Sequence, residues 1–151
     1  MIGRMTSVRL GSAGLNVTDL ARSIDFYRRV LGFDVLRRSA PGDRPWAHLG
    51  ARDVVLLTLW QQAWAGFAVD RAGLHHLSFE VADVAALRAV EEMIRAAGVP
   101  LRDGPATAGA STATGQLFLH DPDGIRLEVY AEVGPPVDWS LPPACGFFEE
   151  S

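Results

Sequence analysis

The sequence predicts an α+β fold in which two βαβββ modules form a curved mixed sheet around a central pocket. The main reason is an internal repeat, because VTDLA at residues 17–21 returns as VADVA at residues 81–85. Each copy follows a strand-like alternation of apolar residues and then enters a helical pattern. Three further strand candidates follow each helix. With 151 residues in total, the chain is expected to form a single domain over residues 1–132.

The first module is predicted over about residues 8–60. Apolar residues alternate over 13–17 and indicate its opening strand. Thr18 or Asp19 can cap the helix that follows, and Gly32 can end it. The remaining strands of this module are expected at 33–38, 46–50 and 54–60, with a turn at 41–43.

The second module is predicted over residues 74–132, after a linker at 61–73. It opens with a strand at 77–81 and a helix between Asp83 and Gly98. Its other strands are expected at 100–102, 116–120 and 125–131, with a tight turn at 121–124. A proline-rich tail at 133–151 is expected to extend along the body of the protein or along a partner subunit.

The composition excludes several kinds of chemistry. All 14 basic residues are arginine, which excludes enzymes that need a lysine amine, such as Schiff-base enzymes and Gly-Lys-Ser phosphate loops. The net charge of −4 argues against nucleic acid and anionic membranes as partners. Cys145 is the only cysteine, so neither an internal disulfide nor a thiolate zinc site is expected. No segment reaches membrane-spanning length, and we expect a cytoplasmic protein.

Strand alternation places polar side chains of the second module on a single face. His76 lies at the start of the opening strand, while Arg126, Glu128 and Tyr130 lie on the closing strand. An open sheet leaves this face in water, whereas a curved sheet makes it the lining of a concave pocket. In either case the Glu128 carboxylate can orient the His76 imidazole and raise its pKa, which gives a general base.

Three motifs occur in order along the chain: LNVTDLARSIDFYRRVLGF at 15–33, GLHHLSF at 73–79 and DPDGIRLEVY at 121–130. Together they resemble the landmarks of the vicinal oxygen chelate superfamily. That superfamily contains glyoxalase I, the extradiol dioxygenases, fosfomycin-resistance enzymes and bleomycin-binding proteins. The resemblance covers roughly residues 10–132 and implies a fold with two βαβββ modules, a small organic ligand and a homodimer.

The resemblance also implies a divalent metal ion, such as iron, manganese, nickel or zinc, that chelates two oxygens of a substrate. Carried over by the repeat, the ligand positions fall at Ser12, Thr58, His76 and Glu128. His76 and Glu128 suit such ions, but the neutral hydroxyls of Ser12 and Thr58 are weak ligands. Either a substrate, a partner subunit or another side chain completes the metal site, or the pocket is free of metal and His76 acts as the base.

Two standard activities of the superfamily are not expected. Ring-cleaving dioxygenases carry a tyrosine where Phe118 stands and a histidine upstream, where this chain has glycine, alanine and serine at 109–111. Glyoxalase I needs a carboxylate near Thr58 to move the substrate proton, and the sequence has none there.

Other side chains are candidates for the same pocket. His48 can face it as an acid or base, or can be an ordinary surface or core histidine. Arg126 can hold an anionic group of the ligand or pair with Glu80. Aromatic residues that suit a planar or bulky organic ligand, with core packing as the alternative, are Trp46, Trp60, Phe118 and Tyr130.

These observations predict a small-molecule enzyme of glyoxalase/dioxygenase-like type, with or without metal, acting around His76 and Glu128. The alternative is a metal-free protein that binds a drug or metabolite without catalysis, similar to bleomycin-resistance proteins. The aromatic residues support the enzyme and the binding protein equally, because both need an apolar lining for an organic ligand.

Overall fold

The structure is a computed structural model that describes residues 9–102, 115–133 and 140. Residues 103–114 and nearly all of the predicted tail, including Cys145, lie outside the described residues. Within the described part, two helices and two sheets alternate as the repeat requires, so the predicted α+β class is confirmed. Neither helix in this part of the chain is long and apolar enough to span a bilayer.

The first module forms a four-stranded sheet, called here the first sheet. Its elements are β1 (Ala13–Val17), α1 (Leu20–Leu31), β2 (Asp34–Arg38), β3 (Trp46–Ala51) and β4 (Val54–Gln61). The strand order is β1-β4-β3-β2, with β1 parallel to β4 and the other pairs antiparallel. A parallel pair needs a long crossover connection, which α1, β2 and β3 supply here.

The second module forms a three-stranded sheet, called here the second sheet. Its elements are β5 (Leu77–Glu80), α2 (Val84–Ala96), β6 (Gln116–His120) and β7 (Arg126–Tyr130), in the order β5-β7-β6. The strand expected at 100–102 is reduced to one bridge between Arg102 and Phe118. Pro100 precedes this bridge and has no N–H to donate, which explains why the ladder is not extended there. The strands therefore form one sheet in each module.

Both helices begin at the predicted aspartates. The Asp19 carboxylate accepts a hydrogen bond from the backbone N–H of Arg22 at 2.9 Å, and Asp83 does the same for Ala86 at 2.8 Å. Gly32 follows α1 with φ of 68°, a left-handed conformation that carries little strain only in glycine. The predicted helix starts are therefore confirmed at Asp19 and Asp83.

A single hydrophobic core joins the two modules. It contains apolar residues of both sheets and both helices, and α1 contacts α2. The Phe33 ring, just after α1, meets the Phe79 ring of β5 edge-on, with centroids 5.4 Å apart. Because strand residues alternate between faces, the polar residues between these apolar ones lie on the opposite face of each sheet.

The turn between β6 and β7 also holds the modules together. The Asp123 carboxylate accepts hydrogen bonds from the Thr18 backbone N–H at 3.1 Å, from the Thr18 hydroxyl, and from Arg22 Nη2 at 2.8 Å. Next to it, the buried Tyr27 hydroxyl donates to Asp121 Oδ2 at 3.0 Å. Burial raises the pKa of both Tyr27 and Asp121. Two carboxylates of this turn thus fix the second module against α1.

Candidate functional site

The polar face of the second sheet brings His76 and Glu128 together, as the sequence predicts. His76 lies just before β5, and Glu128 lies in the middle of β7, opposite Ser78 in the strand register. His76 Nε2 is 3.5 Å from Glu128 Oε2. The Glu128 side chain is 8% exposed and that of His76 is 21% exposed, so solvent reaches the imidazole more readily than the carboxylate.

Two further side chains hold the Glu128 carboxylate. The Ser78 hydroxyl donates to Oε2, and Gln116 Nε2 donates to Oε1 at 3.0 Å. Buried carboxylates need such donors, because an unpaired charge is costly away from water. Ser78 and Gln116 are not among the site residues predicted from the sequence. Gln116 could have been found from the alternation along β6, which places it on the same face as Phe118. Phe118 stands opposite Glu128 in the strand register, so this face is the one that carries the carboxylate.

The two neighbouring histidines depart from strand alternation. His75 should point away from His76 on a strand, but β5 begins only at Leu77. Instead, His75 Nδ1 lies 2.8 Å from His76 Nδ1, so the N–H of one ring donates a hydrogen bond to the nitrogen of the other. The two imidazoles therefore lie against each other, because this segment is not yet a strand.

The pKa of His76 is lowered, contrary to the expected direction. Burial lowers it most, Glu128 raises it, and His75 and Arg126 lower it further. The sequence identified the carboxylate that favours the imidazolium form. It did not reveal the burial that disfavours the charge more strongly. The imidazole therefore stays neutral to a lower pH than an exposed histidine.

The first sheet carries a second group of candidate residues on its polar face. His48 and Thr58 stand opposite each other on β3 and β4, and His48 Nδ1 lies 2.9 Å from Thr58 Oγ1. The Trp46 ring is 4.9 Å from the His48 ring and 6.1 Å from the Trp60 ring. Ser12 is exposed and precedes β1, where Gly14 takes the position beside Thr58.

The remaining candidates of the second sheet lie on both sides of Glu128. Arg126 is almost buried, and its guanidinium stacks over the Phe118 ring at 5.0 Å from the centroid. At the other end of β7, the Tyr130 hydroxyl is 3.5 Å from Glu80 Oε2. The predicted residues thus fall into two groups, one on each sheet.

The donor set supports two ligands of a divalent ion. A separation of 3.5 Å between His76 Nε2 and Glu128 Oε2 fits two atoms that each lie about 2.1 Å from one ion. Within the described part of the chain, no cluster of three or more His, Cys, Asp or Glu side chains could hold a metal. A stable mononuclear site generally needs at least three protein ligands. These residues therefore provide half of a site.

Comparison with known proteins decides the family. The model of the Glyoxalase/Bleomycin resistance protein/Dioxygenase superfamily matches residues 9–129. The chain belongs to this superfamily. The resemblance found in the three sequence motifs is confirmed.

Individual relatives agree with this assignment. The chain is similar to the catechol-2,3-dioxygenase of Bacillus subtilis (strain 168), with 30% identity over 139 residues that cover 85% of this chain and 44% of that protein. It therefore spans less than half of that relative. It is also similar to a lactoylglutathione lyase of Neisseria meningitidis, with 32% identity over 80% of this chain and 88% of the lyase.

A solved structure shows the same fold. The glyoxylase/bleomycin resistance protein/dioxygenase domain from Frankia sp. EAN1pec matches with a TM-score of 0.65 and 27% identity. The match covers 83% of this chain and 93% of that domain. Members of this superfamily bind small organic substrates and commonly use divalent metal ions.

Proposed function

We propose that the protein is a small-molecule enzyme of glyoxalase/dioxygenase-like type that acts on an organic substrate at the His76–Glu128 pair. The observation that carries this proposal is the 3.5 Å separation between His76 Nε2 and Glu128 Oε2 on one polar face. A partly exposed imidazole beside a fixed, nearly buried carboxylate is an arrangement that can transfer protons or bind a metal ion.

In this proposal Glu128 is the fixed member of the pair and His76 is the reactive one. Ser78 and Gln116 hold the two carboxylate oxygens, so Glu128 is oriented before a substrate arrives. His76 takes a proton from the substrate, and the carboxylate stabilises the imidazolium that results. The contact with His75 fixes the orientation of the ring through Nδ1.

Where the protein uses a divalent ion instead of a free imidazole base, His76 and Glu128 would hold it. When bound, such an ion polarises a substrate oxygen as a Lewis acid. The further ligands would then come from oxygen atoms of the substrate or from a partner subunit, because no three His, Cys, Asp or Glu side chains among the described residues are placed to hold one metal ion. The metal in this proposal is iron, manganese, nickel or zinc.

We propose that the first sheet supplies the wall for the substrate. Trp46 and Trp60 present neighbouring rings beside the His48–Thr58 pair, and Trp60 is 44% exposed. Aromatic faces of this kind suit a planar or bulky organic molecule, with His48 as a second acid or base. The two polar faces belong to different sheets. We propose that the protein forms a homodimer, in which the two faces come together around one substrate. We also propose that it acts in the cytoplasm.

The alternative function is binding without catalysis. The same Trp46–Trp60 surface favours it, because a protein that sequesters a ligand needs aromatic walls and no reactive pair.

Sedimentation at micromolar concentration tests the proposed dimer independently of either function, and a monomer contradicts it.

The experiment compares three forms of tag-free protein: wild type, His76→Ala and the matched variant His75→Ala. Each is incubated with a mixture of small aromatic and α-keto compounds, and consumption is followed by mass spectrometry. We expect at least one compound to be consumed by the wild type and left unchanged by His76→Ala, while His75→Ala keeps measurable turnover. Compounds that bind tightly but are never converted by the wild type favour the alternative.

Metal content is measured on the same three forms. About one transition ion per chain that is lost in His76→Ala supports the metal-dependent form of the proposal. Wild-type protein that contains no metal, and whose turnover does not respond to added nickel, manganese, iron or zinc, leaves His76 as a metal-free base.

A further inference from the structure

A cleft of about 330 Å³ lies where the end of β6 meets α1 and the segment after α2. Its apolar wall is formed by Phe26, Val99, Pro100 and Pro122, and its basic side chains are Arg102 and His120. We call it the basic cleft. Its volume is near the lower end of the range for ligand pockets, about 300 to 1,000 Å³, so it suits a small molecule.

Positive charges around the basic cleft act on His120. Burial lowers the pKa of His120, and Arg102 and Arg126 lower it further. Of the ion pairs between described residues, none includes Arg102 or His120. An anion placed between Arg102 and His120 would pair with the Arg102 guanidinium and favour the protonated form of His120.

The one carboxylate that lines the basic cleft is held within the turn between β6 and β7. Asp121 is 5% exposed, and its oxygens accept hydrogen bonds within the turn and from α1. Oδ1 accepts from the backbone N–H groups of Asp123 at 2.9 Å and Ile125 at 2.8 Å, and Oδ2 accepts from the Tyr27 hydroxyl at 3.0 Å. These bonds hold the carboxylate in the turn, so Arg102 and His120 remain the groups offered to a ligand.

We propose that the basic cleft is a second binding site, which takes a small organic carboxylate. The carboxylate group lies on Arg102 and His120, and the apolar part of the molecule packs against Phe26, Val99 and Pro122. None of the residues that line this cleft belongs to the His76–Glu128 pair or to its two donors. The proposal therefore stands independently of the proposed enzymatic function.

Benzoate and its neutral amide, benzamide, form a matched pair of probes. Both have the same size and the same apolar ring, and only benzoate carries a charge for Arg102 and His120. We expect benzoate to shift the His120 ring signals in an NMR titration in a saturable way, and to raise the pKa of His120. Equal shifts with benzamide contradict the proposal, because they show that the charge is not recognised.

Two arginine variants separate this site from general charge effects. Arg102→Gln should weaken benzoate binding, measured by calorimetry, roughly tenfold or more, because it removes a charge-assisted hydrogen bond. Arg88→Gln removes an equal charge from an exposed position of α2 and should leave the affinity unchanged. His120→Gln provides a second test within the cleft if Arg102→Gln does not fold.

A third variant distinguishes the basic cleft from the proposed active site. His76→Ala should bind benzoate as tightly as the wild type does. Loss of binding in His76→Ala places benzoate at the His76–Glu128 pair and overturns this proposal, without bearing on turnover. A change below twofold in both Arg102→Gln and His120→Gln also overturns it.

Discussion

Replacing Asp123 tests the junction between the two modules. Its carboxylate is nearly buried and accepts from the Thr18 backbone N–H at 3.1 Å, from the Thr18 hydroxyl and from Arg22 at 2.8 Å. In Asp123→Ala all three hydrogen bonds are lost, and the part-buried N–H of Thr18 loses the carboxylate that accepts from it. The substitution removes the polar contact without changing any side chain of the apolar core.

The expected cost follows from the burial of each partner. The unsatisfied N–H and the lost hydroxyl bond together cost about 2 to 3 kcal/mol. Arg22 is 49% exposed, so its ion pair with Asp123 adds only about 0 to 1 kcal/mol. We therefore expect Asp123→Ala to lower the free energy of unfolding by about 3 kcal/mol. For a chain of this length that change lowers Tm by roughly 6 to 12 °C.

Urea denaturation followed by circular dichroism measures this change. The matched control is Asp25→Ala, which breaks another Asp–Arg pair in which both side chains are more than half exposed. We expect the control to change the free energy of unfolding by less than about 0.5 kcal/mol. A loss below about 1 kcal/mol in Asp123→Ala, or equal losses in both variants, would refute the view that this carboxylate fixes the modules together.

Three smaller predictions concern the stability of the fold and of the site. Burial raises the pKa of Asp121 above its ordinary 3.8, so its ionisation costs stability as pH rises above that value. In thermal unfolding, the Tm of Asp121→Asn should therefore rise relative to that of the wild type as the pH increases above about 4, and a Tm difference that stays constant or moves the other way contradicts this. Ser78→Ala removes a hydrogen-bond donor from the Glu128 carboxylate and should lower the free energy of unfolding, measured in urea, by about 1 to 2 kcal/mol. An unchanged free energy of unfolding would contradict a stabilising contact between Ser78 and Glu128. Gly124 has φ of 89°, so Gly124→Ala should lower the free energy of unfolding, measured in urea, by about 1 to 2 kcal/mol. Gly73→Ala, where a new Cβ meets open space, should leave it nearly unchanged, and equal effects of the two variants would show that the backbone conformation of Gly124 is not the cause.

Much of the fold could be predicted because the signals are local and occur twice. Asp19 and Asp83 cap the two helices because each places a carboxylate within reach of an N–H three residues later. Strand alternation likewise predicted that His76 and Glu128 share a face, and their side chains lie 3.5 Å apart although His76 stands just before β5. The same rule does not apply to His75, where the chain has not yet entered β5.

What the sequence could not supply depends on contacts between distant segments. The lowered pKa of His76 reflects burial by the whole fold, which no spacing along the chain reports. The His48–Thr58 contact depends on the register of β3 against β4, and that register contains an irregularity between Leu49 and Gly50. The strand predicted at 100–102 is only one bridge in the structure, between Arg102 and Phe118, because Pro100 has no N–H with which to extend the ladder.

The central claim is that the His76–Glu128 pair carries out the chemistry of this protein. The most direct measurement uses one compound that the wild type converts, and determines kcat and Kd for that compound in the wild type and in Glu128→Gln. We predict that kcat falls at least roughly a hundredfold, as for loss of an acid–base partner, while Kd changes less than about threefold. An unchanged kcat, or a Kd that rises in step with the loss of turnover, would contradict the claim.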